Sequence, residues 1–343
     1  MNPPGPRHPH LPAAPQAADI ARLLQFPDDL THALTDAVQH WAGDPWAQRV
    51  ARRLASGLDR TEQLEHLPRE FWALDSAEAD SPPTADDHTP AGPGRQGGNS
   101  KPDRTDAQPP LHPAQTTADP RRDLLPLLVL LSRVPRVLRL HQQRDVPRDV
   151  SLDTLDDLLR WARKFRLQHG HWGLAETHWL ALAVTGRIFR LGRLQFEWVN
   201  NRWPALPFTP DQWLLSVHVP EMGPLDHGAC DTAFARAHEF FIRHFPERRA
   251  AAFVCDSWLL DPQLGEYLPA ETNILRFQHR FTVVPDACYP RDQITERVLP
   301  GPADSAPNSK SPSRLQRAIA EHRRRGRGWQ SGVGYRTINL PRR

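Results

Sequence analysis

Residues 187–199, RIFRLGRLQFEWV, mark the point where the sequence changes from helical to strand periodicity. Before this stretch apolar residues recur about every 3.6 positions, and within it they alternate with polar ones. The alternation predicts one strand over Arg187–Val199, with a bulge at Gly192. Its apolar face carries Ile188, Leu194, Phe196 and Trp198, and its polar face carries Arg193, Gln195 and Glu197.

Downstream of this strand the pattern predicts further strands and helices. Residues Trp213–Val219 form a second strand with Ser216 and His218 on its polar face, and a proline-containing loop favours antiparallel pairing with the first. A helix over Asp226–Phe245 follows. Its predicted buried stripe is Cys230, Phe234, Ala237, Phe241 and Phe245. The remaining predictions are a strand at Ala250–Cys255, a helix from Thr272 or Asn273 to Phe281, a strand at Thr282–Val284, a helix at Ser313–Arg325 and a strand or hairpin over Gly328–Ile338.

Upstream of residue 187 the apolar spacing is helical. We predict a helical domain made of residues 17–75 and 123–176, followed by a mixed sheet with flanking helices over residues 177–343. Residues 1–16 and 76–122 are rich in proline and poor in large apolar side chains, which predicts a disordered tail and a disordered insertion. The predicted fold class is therefore α+β.

Composition excludes several classes of protein. The formal net charge is only +3, which argues against a nucleic-acid partner. Three widely spaced cysteines offer neither a disulfide framework nor a CxxC metal knuckle. No apolar run reaches the roughly 18 residues that a membrane span requires, and the N-terminus lacks the features of a signal peptide. These observations predict a cytoplasmic protein without a membrane partner, and they leave its oligomeric state open.

Four ordered stretches resemble a bacterial acyltransferase family that joins an N-acyltransferase N-terminal domain to a GNAT-like C-terminal domain. They are Phe189–Glu197, then His218–Glu221 with Gly223–Leu225, then Phe240–Phe241 with Phe245–Glu247, and finally Cys255–Pro262 with Leu268–Pro269 and Asn273–Ile274. The resemblance implies transfer of an acyl group from acyl-coenzyme A to an amine on a small molecule or a peptide. It implies acyl-coenzyme A as co-substrate and no metal.

Acyl transfer to an amine needs a base that takes the proton of the ammonium group. Glu197 and His218 are candidates, because both lie on the polar face of adjacent predicted strands. The alternative is structural: Glu197 pairs with Arg193 or another nearby arginine, and His218 is a histidine satisfied within the sheet. Ser257 and Cys255 share one face of this strand when it extends over Ala250–Ser257. Either could donate a proton to the departing thiolate, and Cys255 could also be a nucleophile. Cys255 is more typical of a buried apolar residue.

Two further residues are candidates for holding coenzyme A. Backbone amides at the helix that starts near Asn273 can bind phosphate, although Asn273 can equally serve as a helix cap. Arg193 is the second candidate. The run Arg323–Gly328 has the R-x-x-G-x-G spacing of acetyltransferases, but it follows a helix instead of preceding one, which favours a basic C-terminal cap.

Other functions remain open at this point. A catalytically inactive GNAT-like binding protein would explain the lack of a recognisable phosphate loop. A hydrolase could use Ser257 with His218, but no G-x-S-x-G elbow surrounds that serine. The arginines at Arg323–Arg327 beside Trp329 could contact nucleic acid, which the charge balance disfavours. None of the histidines shows the i, i+4 spacing of a helical zinc site.

Overall fold

The computed structural model describes residues 11–64, 67, 69–74, 119–299 and 312–338. In this part of the chain, helices come first and a mixed sheet with further helices follows. The helices are α1 (Ala14–Leu23), α2 (Asp28–Trp41), α3 (Pro45–Glu62), α4 (Leu125–Gln143), α5 (Arg148–Leu155), α6 (Asp157–His169), α7 (Thr177–Val184), α8 (His227–His244), α9 (Asn273–Gln278), α10 (Gln293–Val298) and α11 (Arg314–Arg324). This order confirms the predicted α+β class.

The first seven helices build one apolar core. Prolines stand where helices begin, at the N-cap of α2 and as the first residue of α3, because a proline has no N–H to leave unsatisfied there. α4 lies at the centre and buries most of its first two turns among α1, α2, α3 and α7. The core also contains Leu180, Ala181 and Val184 of α7, which the predicted boundary at residue 177 assigns to the C-terminal domain.

The structure is ordered into helices at the ends of the segments predicted to be a disordered tail and a disordered insertion. α1 begins at Ala14, so the last residues of the predicted tail 1–16 are helical. The segment Pro120–Leu124 is a short 3-10 helix, capped by the Asp119 side chain. Trp41 donates a hydrogen bond to the Arg121 carbonyl, which fixes this segment against α2. Residues 1–10 and 75–118, where the rest of both predictions falls, lie outside the described residues.

The described strands form a seven-stranded sheet. They are β1 (Ile188–Leu191), β2 (Leu194–Asn200), β3 (Trp213–His218), β4 (Ala252–Ser257), β5 (Thr282–Val283), β6 (Tyr289–Pro290) and β7 (Gln330–Thr337). Their order is β1-β2-β3-β4-β7-β5, and β6 pairs with β7. The pairs β1–β2 and β2–β3 are antiparallel, as predicted for β2–β3, whereas β3 and β4 are parallel and are connected by α8.

The prediction of a single strand over Arg187–Val199 is wrong. The chain reverses at Gly192, whose φ of +75° is readily adopted only by glycine, and the stretch becomes the β1–β2 hairpin. The reversal changes which residues of the first half of this stretch, β1, lie on the apolar face of the sheet. Phe189 pairs with Phe196 on the apolar face, and Ile188 lies opposite Glu197 on the other face. Alternation alone cannot show this, because both halves keep a period of two.

The two faces of the sheet have different partners. Helix α8 covers the face that carries Phe196, Trp198, Leu215 and Phe253, and it contributes the stripe predicted from the sequence. Phe240 is also buried, although it lies one position off that stripe, because its ring packs on Phe189 with centroids 5.1 Å apart. The opposite face carries Glu197, Ser216 and His218 and turns toward the helical domain.

Truncating Phe241 to alanine is expected to lower the free energy of unfolding by about 3–5 kcal/mol, because the ring fills the space between the sheet and α8. It lies 4.8 Å from the Trp198 ring, centroid to centroid. The matched control is Ile242→Ala on the same helix, since Ile242 is 48% exposed and should cost less than about 1 kcal/mol. Urea unfolding measures both, and equal losses would contradict this packing.

A buried histidine closes the end of α4. His141 is 2% exposed, its Nδ1 lies 3.0 Å from the Ser151 hydroxyl, and its Nε2 is buried without a hydrogen-bond partner among the described residues. The Ser151 hydroxyl donates to the Pro147 carbonyl, so it accepts the bond from Nδ1–H. Burial lowers the pKa of His141 to about 4.

This pKa predicts a loss of stability in mild acid. The unfolded chain binds the proton near pH 6.5 and the folded chain only near pH 4, so this contribution is complete above about pH 6.5 and is lost as the pH falls toward 4. From about pH 7.5 to about pH 5 the expected loss is about 2 kcal/mol. Urea titrations of wild type and His141→Gln at both pH values measure it. His141→Gln should reduce the difference in the free energy of unfolding between the two pH values. An unchanged difference would contradict the assignment of this loss to His141.

Candidate functional site

Glu197 is buried in the middle of the sheet and holds two partners at once. Its side chain is only 4% exposed. The Arg187 guanidinium donates to Oε1 at 2.8 Å, and Nε2 of His218 lies 3.1 Å from Oε2. Burial by itself would raise the pKa of Glu197, but the hydrogen bond and charge of His218 and the charge of Arg187 outweigh it and hold that pKa below its usual value. Glu197 is therefore a carboxylate at neutral pH.

Arg187 connects this carboxylate to the helical domain. Its guanidinium also donates to the carbonyl of Thr61 at the end of α3 and to the carbonyl of Trp198 on β2. Sequence analysis allowed a structural arginine partner for Glu197 but named Arg193, whereas the structure places Arg187 there. The hairpin explains the difference, because it brings the residue before β1 beside the middle of β2.

His218 ends β3, diagonally across from Glu197 on the same face of the sheet. Its side chain is 26% exposed, in contrast to those of its two partners in the chain Arg187–Glu197–His218. An ionised carboxylate only accepts hydrogen bonds, so Nε2 is the donor to Glu197, and in the neutral ring Nδ1 carries the lone pair. No described residue hydrogen-bonds Nδ1. The geometry therefore offers a base whose ring is oriented by Glu197 at Nε2 and whose Nδ1 has no hydrogen-bond partner among the described residues.

The helical domain supplies the wall beside this histidine. Trp179 of α7 stands edge-on to the His218 ring, with centroids 4.8 Å apart. Its side chain also hydrogen-bonds the Asp157 carboxylate, which in turn accepts from Gln195 at 2.6 Å. Burial raises the pKa of Asp157 despite these bonds. Asp157 of α6, Trp179 of α7 and Gln195 of β2 thus form one hydrogen-bonded group beside His218.

β3 and β4 pair for only three residues and then separate. The ladder ends at Ser216 and Val254, although β3 runs to His218 and β4 to Ser257. Beyond this point β4 pairs only with β7 on its other side. Two more residues of the same register would place Asp256 beside His218, on the same face of the sheet. Past Ser216 and Val254 the facing backbone edges of β3 and β4 are not paired with each other, and we call the space between them the slot.

The structure does not bring Ser257 to the face that carries Glu197 and His218. Alternation along β4 places Ser257 and Cys255 together on the face covered by α8, and the prediction that these two residues share a face is confirmed. Asp256 lies on the opposite face, which carries His218 and is called the histidine face. The Ser257 hydroxyl accepts the Leu259 N–H and caps the short 3-10 helix Trp258–Leu260. Cys255 is 1% exposed and burial raises the pKa of its thiol, which favours the apolar reading over a nucleophile.

The two residues predicted to hold coenzyme A lie on separate elements. Arg193, in the β1–β2 turn, donates to the carbonyls of Pro220, Gly223 and Pro224, so it fixes the loop between β3 and α8. Asn273 is the first residue of the six-residue helix α9, after the N-cap position of Thr272. The loop that Arg193 holds leads directly into the N-terminus of α8, which sequence analysis did not single out.

The Arg323–Gly328 run takes the structural role predicted for it. Arg323 and Arg324 lie in the last turn of α11, and Gly326 follows with a φ of +67°. Arg327 pairs with Glu266 and Gln263. These contacts make the run a basic helix end and turn. Among the described residues, no three or more His, Cys, Asp or Glu side chains cluster as a metal site would require.

Two family models match the chain and meet at Arg187. The N-acyltransferase N-terminal domain matches residues 96–186 and the GNAT-like C-terminal domain matches residues 188–336. The chain belongs to the acyltransferase family that joins these two domains. The second match coincides with the mixed sheet and its flanking helices, and the first ends with α7.

Solved acyltransferase structures resemble this family member along nearly its whole length. One is an acyltransferase in complex with decanoyl-CoA and teicoplanin, with 25% identity and a TM-score of 0.72. Another is an acyltransferase mutant with octanoyl-CoA, with 27% identity and a TM-score of 0.72. A third holds CoA and 10C-teicoplanin, with 25% identity and a TM-score of 0.71. Each alignment covers 98% of this chain and 91% of the other. No curated protein sequence matches this acyltransferase.

Sequence analysis missed three residues of the candidate site. Arg187 looked like the first residue of a strand, Trp179 like part of a core helix, and Asp256 like a neighbour of the candidate Ser257. Their roles depend on contacts over long sequence separations, of which the bond between Trp203 and Asp256 is one. The only available signal was the alternation along β4, which placed Asp256 on the other face of the strand from Ser257.

No described helix is long and apolar enough to cross a membrane.

Proposed function

We propose that this acyltransferase moves an acyl group from acyl-coenzyme A to the primary amine of a small-molecule acceptor, with His218 as the base. The observation that carries the proposal is the buried chain Arg187–Glu197–His218, which ends at the point where β3 and β4 separate. The family membership and the acyl-CoA complexes of the similar structures support the same chemistry. A cytoplasmic location is part of this proposal.

The N-terminus of α8 fits the phosphates of coenzyme A. α8 has eighteen residues, and the backbone N–H groups of its first turn carry partial positive charge. Asp226 caps only the N–H of Ala229. Arg193 donates to the Gly223 carbonyl in the loop that leads into this turn, and Arg280 donates to the His227 carbonyl within it. Gly223, with a φ of +53° and open space beside its Cα, lets the preceding loop approach a ligand closely.

The slot between β3 and β4 fits the thioester. Backbone N–H groups at the edges of separated strands can hydrogen-bond an extended chain and stabilise an oxyanion. His218 stands at the edge of this slot, two residues past the last paired residue of β3. The acyl donor therefore enters from the α8 side, and the amine reaches it from the side of the helical domain.

Each residue has one part in the reaction. His218 Nδ1 takes a proton from the acceptor ammonium, and the nitrogen lone pair then attacks the thioester carbon. The carbon–sulfur bond breaks with its electron pair on sulfur, the nitrogen passes its second proton to the thiolate, and the first proton leaves His218 for solvent. Glu197 does not reach the amine, because it is buried behind His218; it orients the ring and stabilises the imidazolium. Arg187 keeps Glu197 ionised. Glu197 is thus a positioning residue instead of the base considered from the sequence.

The direct test supplies octanoyl- or decanoyl-CoA together with a panel of primary amines that includes a teicoplanin-type glycopeptide with a free amine. Release of the coenzyme A thiol, with the acylated amine identified by mass spectrometry, supports the proposal. Binding of acyl-CoA by calorimetry without transfer to any amine would favour the inactive GNAT-like binding protein. Failure to bind acyl-CoA at all would overturn both readings.

A further inference from the structure

A carboxylate without a cationic partner lies one strand away from His218. Asp256, next to last on β4, is half-buried. Its Oδ1 accepts the Tyr289 hydroxyl at 2.8 Å and its Oδ2 accepts the Trp203 indole N–H at 3.1 Å. Both donors are neutral, and among the described residues no Lys, Arg or His reaches ion-pair distance of this carboxylate. Arg291 donates instead to the Tyr289 hydroxyl, at 3.4 Å.

The tyrosine partner stays a donor across the physiological pH range. Burial and the charge of Asp256 raise the pKa of Tyr289 to about 12. A carboxylate has more acceptor positions than two neutral donors fill. The Asp256 carboxylate thus retains capacity for another donor, and a half-buried carboxylate of this kind is best satisfied by a cation.

The position of Asp256 relative to His218 is set by the strands. Both residues lie on the same face, on the adjacent strands β3 and β4, two positions past the last paired residues Ser216 and Val254. The slot proposed for the thioester runs between them. Any group held by Asp256 on this face is therefore held across the slot from the proposed base.

A second polar group beside this cluster has no partner. Ser331 is 1% exposed, and its hydroxyl makes no hydrogen bond among the described residues. It pairs with Tyr289 across β6 and β7, so both side chains lie on the same face as Asp256. The rings of Trp203 and Tyr289 flank the carboxylate. A buried hydroxyl without a partner, aromatic rings and an uncompensated carboxylate together are typical of a site for an organic cation.

We propose that Asp256, flanked by Trp203 and Tyr289, binds the ammonium group of the acceptor before His218 deprotonates it. The inference rests on the proposed function for the identity of the ligand, an amine acceptor. The ammonium site itself can be tested without catalysis. Asp256 then acts as a specificity-determining residue, which selects acceptors that arrive as cations over neutral alcohols of the same shape.

The test compares benzylammonium with its neutral analogue benzyl alcohol by ligand-observed NMR titration of the full chain. Wild type should bind the ammonium compound roughly 10- to 100-fold more tightly, as expected for a hydrogen bond to a charged group. Asp256→Asn should lose this preference. The matched control is Asp286→Asn, which removes a carboxylate charge from an exposed position three residues before Tyr289. This variant should keep the preference for the ammonium compound. Equal binding of both probes to wild type, or an unchanged preference in Asp256→Asn, overturns the proposal.

A measurement on the wild-type fold covers the case in which Asp256→Asn does not fold. The protein is labelled with fluorotryptophan, and the Trp203 resonance is assigned from a Trp203→Phe spectrum. Benzylammonium should shift this resonance, because the indole N–H is bonded to the same carboxylate, and benzyl alcohol should not. An unshifted Trp203 resonance contradicts the inference. Acyl transfer by wild type is measured in parallel. Equal binding of the two probes with intact transfer refutes this site alone, and an ammonium preference without transfer refutes the proposed function alone.

Discussion

His218→Ala is expected to slow acylation of the amine by about 10²–10⁴-fold, because it removes the group that accepts the ammonium proton. Acyl-CoA affinity and the free energy of unfolding should change little, since the ring is partly exposed and lies outside the proposed phosphate site. Single-turnover kinetics with saturating acyl-CoA isolate the chemical step from product release.

The matched control is His279→Ala, which removes an exposed imidazole at the end of α9 and should leave the rate unchanged. Added imidazole should restore part of the rate in His218→Ala and have no effect on wild type. A His218→Ala protein that turns over at the wild-type rate would remove this residue from the mechanism, and an enzyme slowed only through loss of folded protein would do the same.

Arg187→Met is expected to lower the free energy of unfolding by about 3–5 kcal/mol, because it leaves the Glu197 carboxylate buried with only His218 as partner. The side chains of both residues are almost completely buried, at 3% and 4% exposed, so water cannot replace the lost partner. The pKa of Glu197 should rise at the same time, since one of the charges that hold it down is gone. Urea unfolding at neutral pH measures the loss.

The double variant Arg187→Met with Glu197→Gln tests the cause. A neutral amide at position 197 no longer strands a buried charge, so the double variant should be more stable than Arg187→Met alone. Additive losses from the two single changes would show that Arg187 stabilises the fold through its bonds to Thr61 and Trp198 instead. The surface pair of Arg136 and Glu62 offers a control, because Arg136→Met should cost less than about 1 kcal/mol.

The contact between the two candidate residues was predictable, but which of them is exposed to solvent was not. Alternation placed Glu197 and His218 on the polar face of neighbouring strands, and the structure confirms that they are in contact. Which of them meets the substrate depends on burial, and burial depends on Arg187 and on the helical domain that covers β2. For Ser257 the strand was correct, but the prediction did not compare its face with that of His218.

The order and type of most elements follow from the sequence alone. Local spacing of apolar residues places α8 and β3 within a residue of their observed ends, and the Ser313 capping box marks the start of α11. These signals are local, because a helix or strand shows its buried face in its own period. Four ordered motifs were enough to indicate the family.

Only the tertiary structure decided what those elements do together. The hairpin at Gly192 sets the phase of β1, the separation of β3 from β4 creates the slot, and contacts across more than a hundred residues bring Thr61 of α3 to Arg187. The same folding places Asp256 across the slot from His218. Such arrangements are absent from any local pattern, because they depend on the register and separation of strands and on which side chains lose contact with water when distant segments pack.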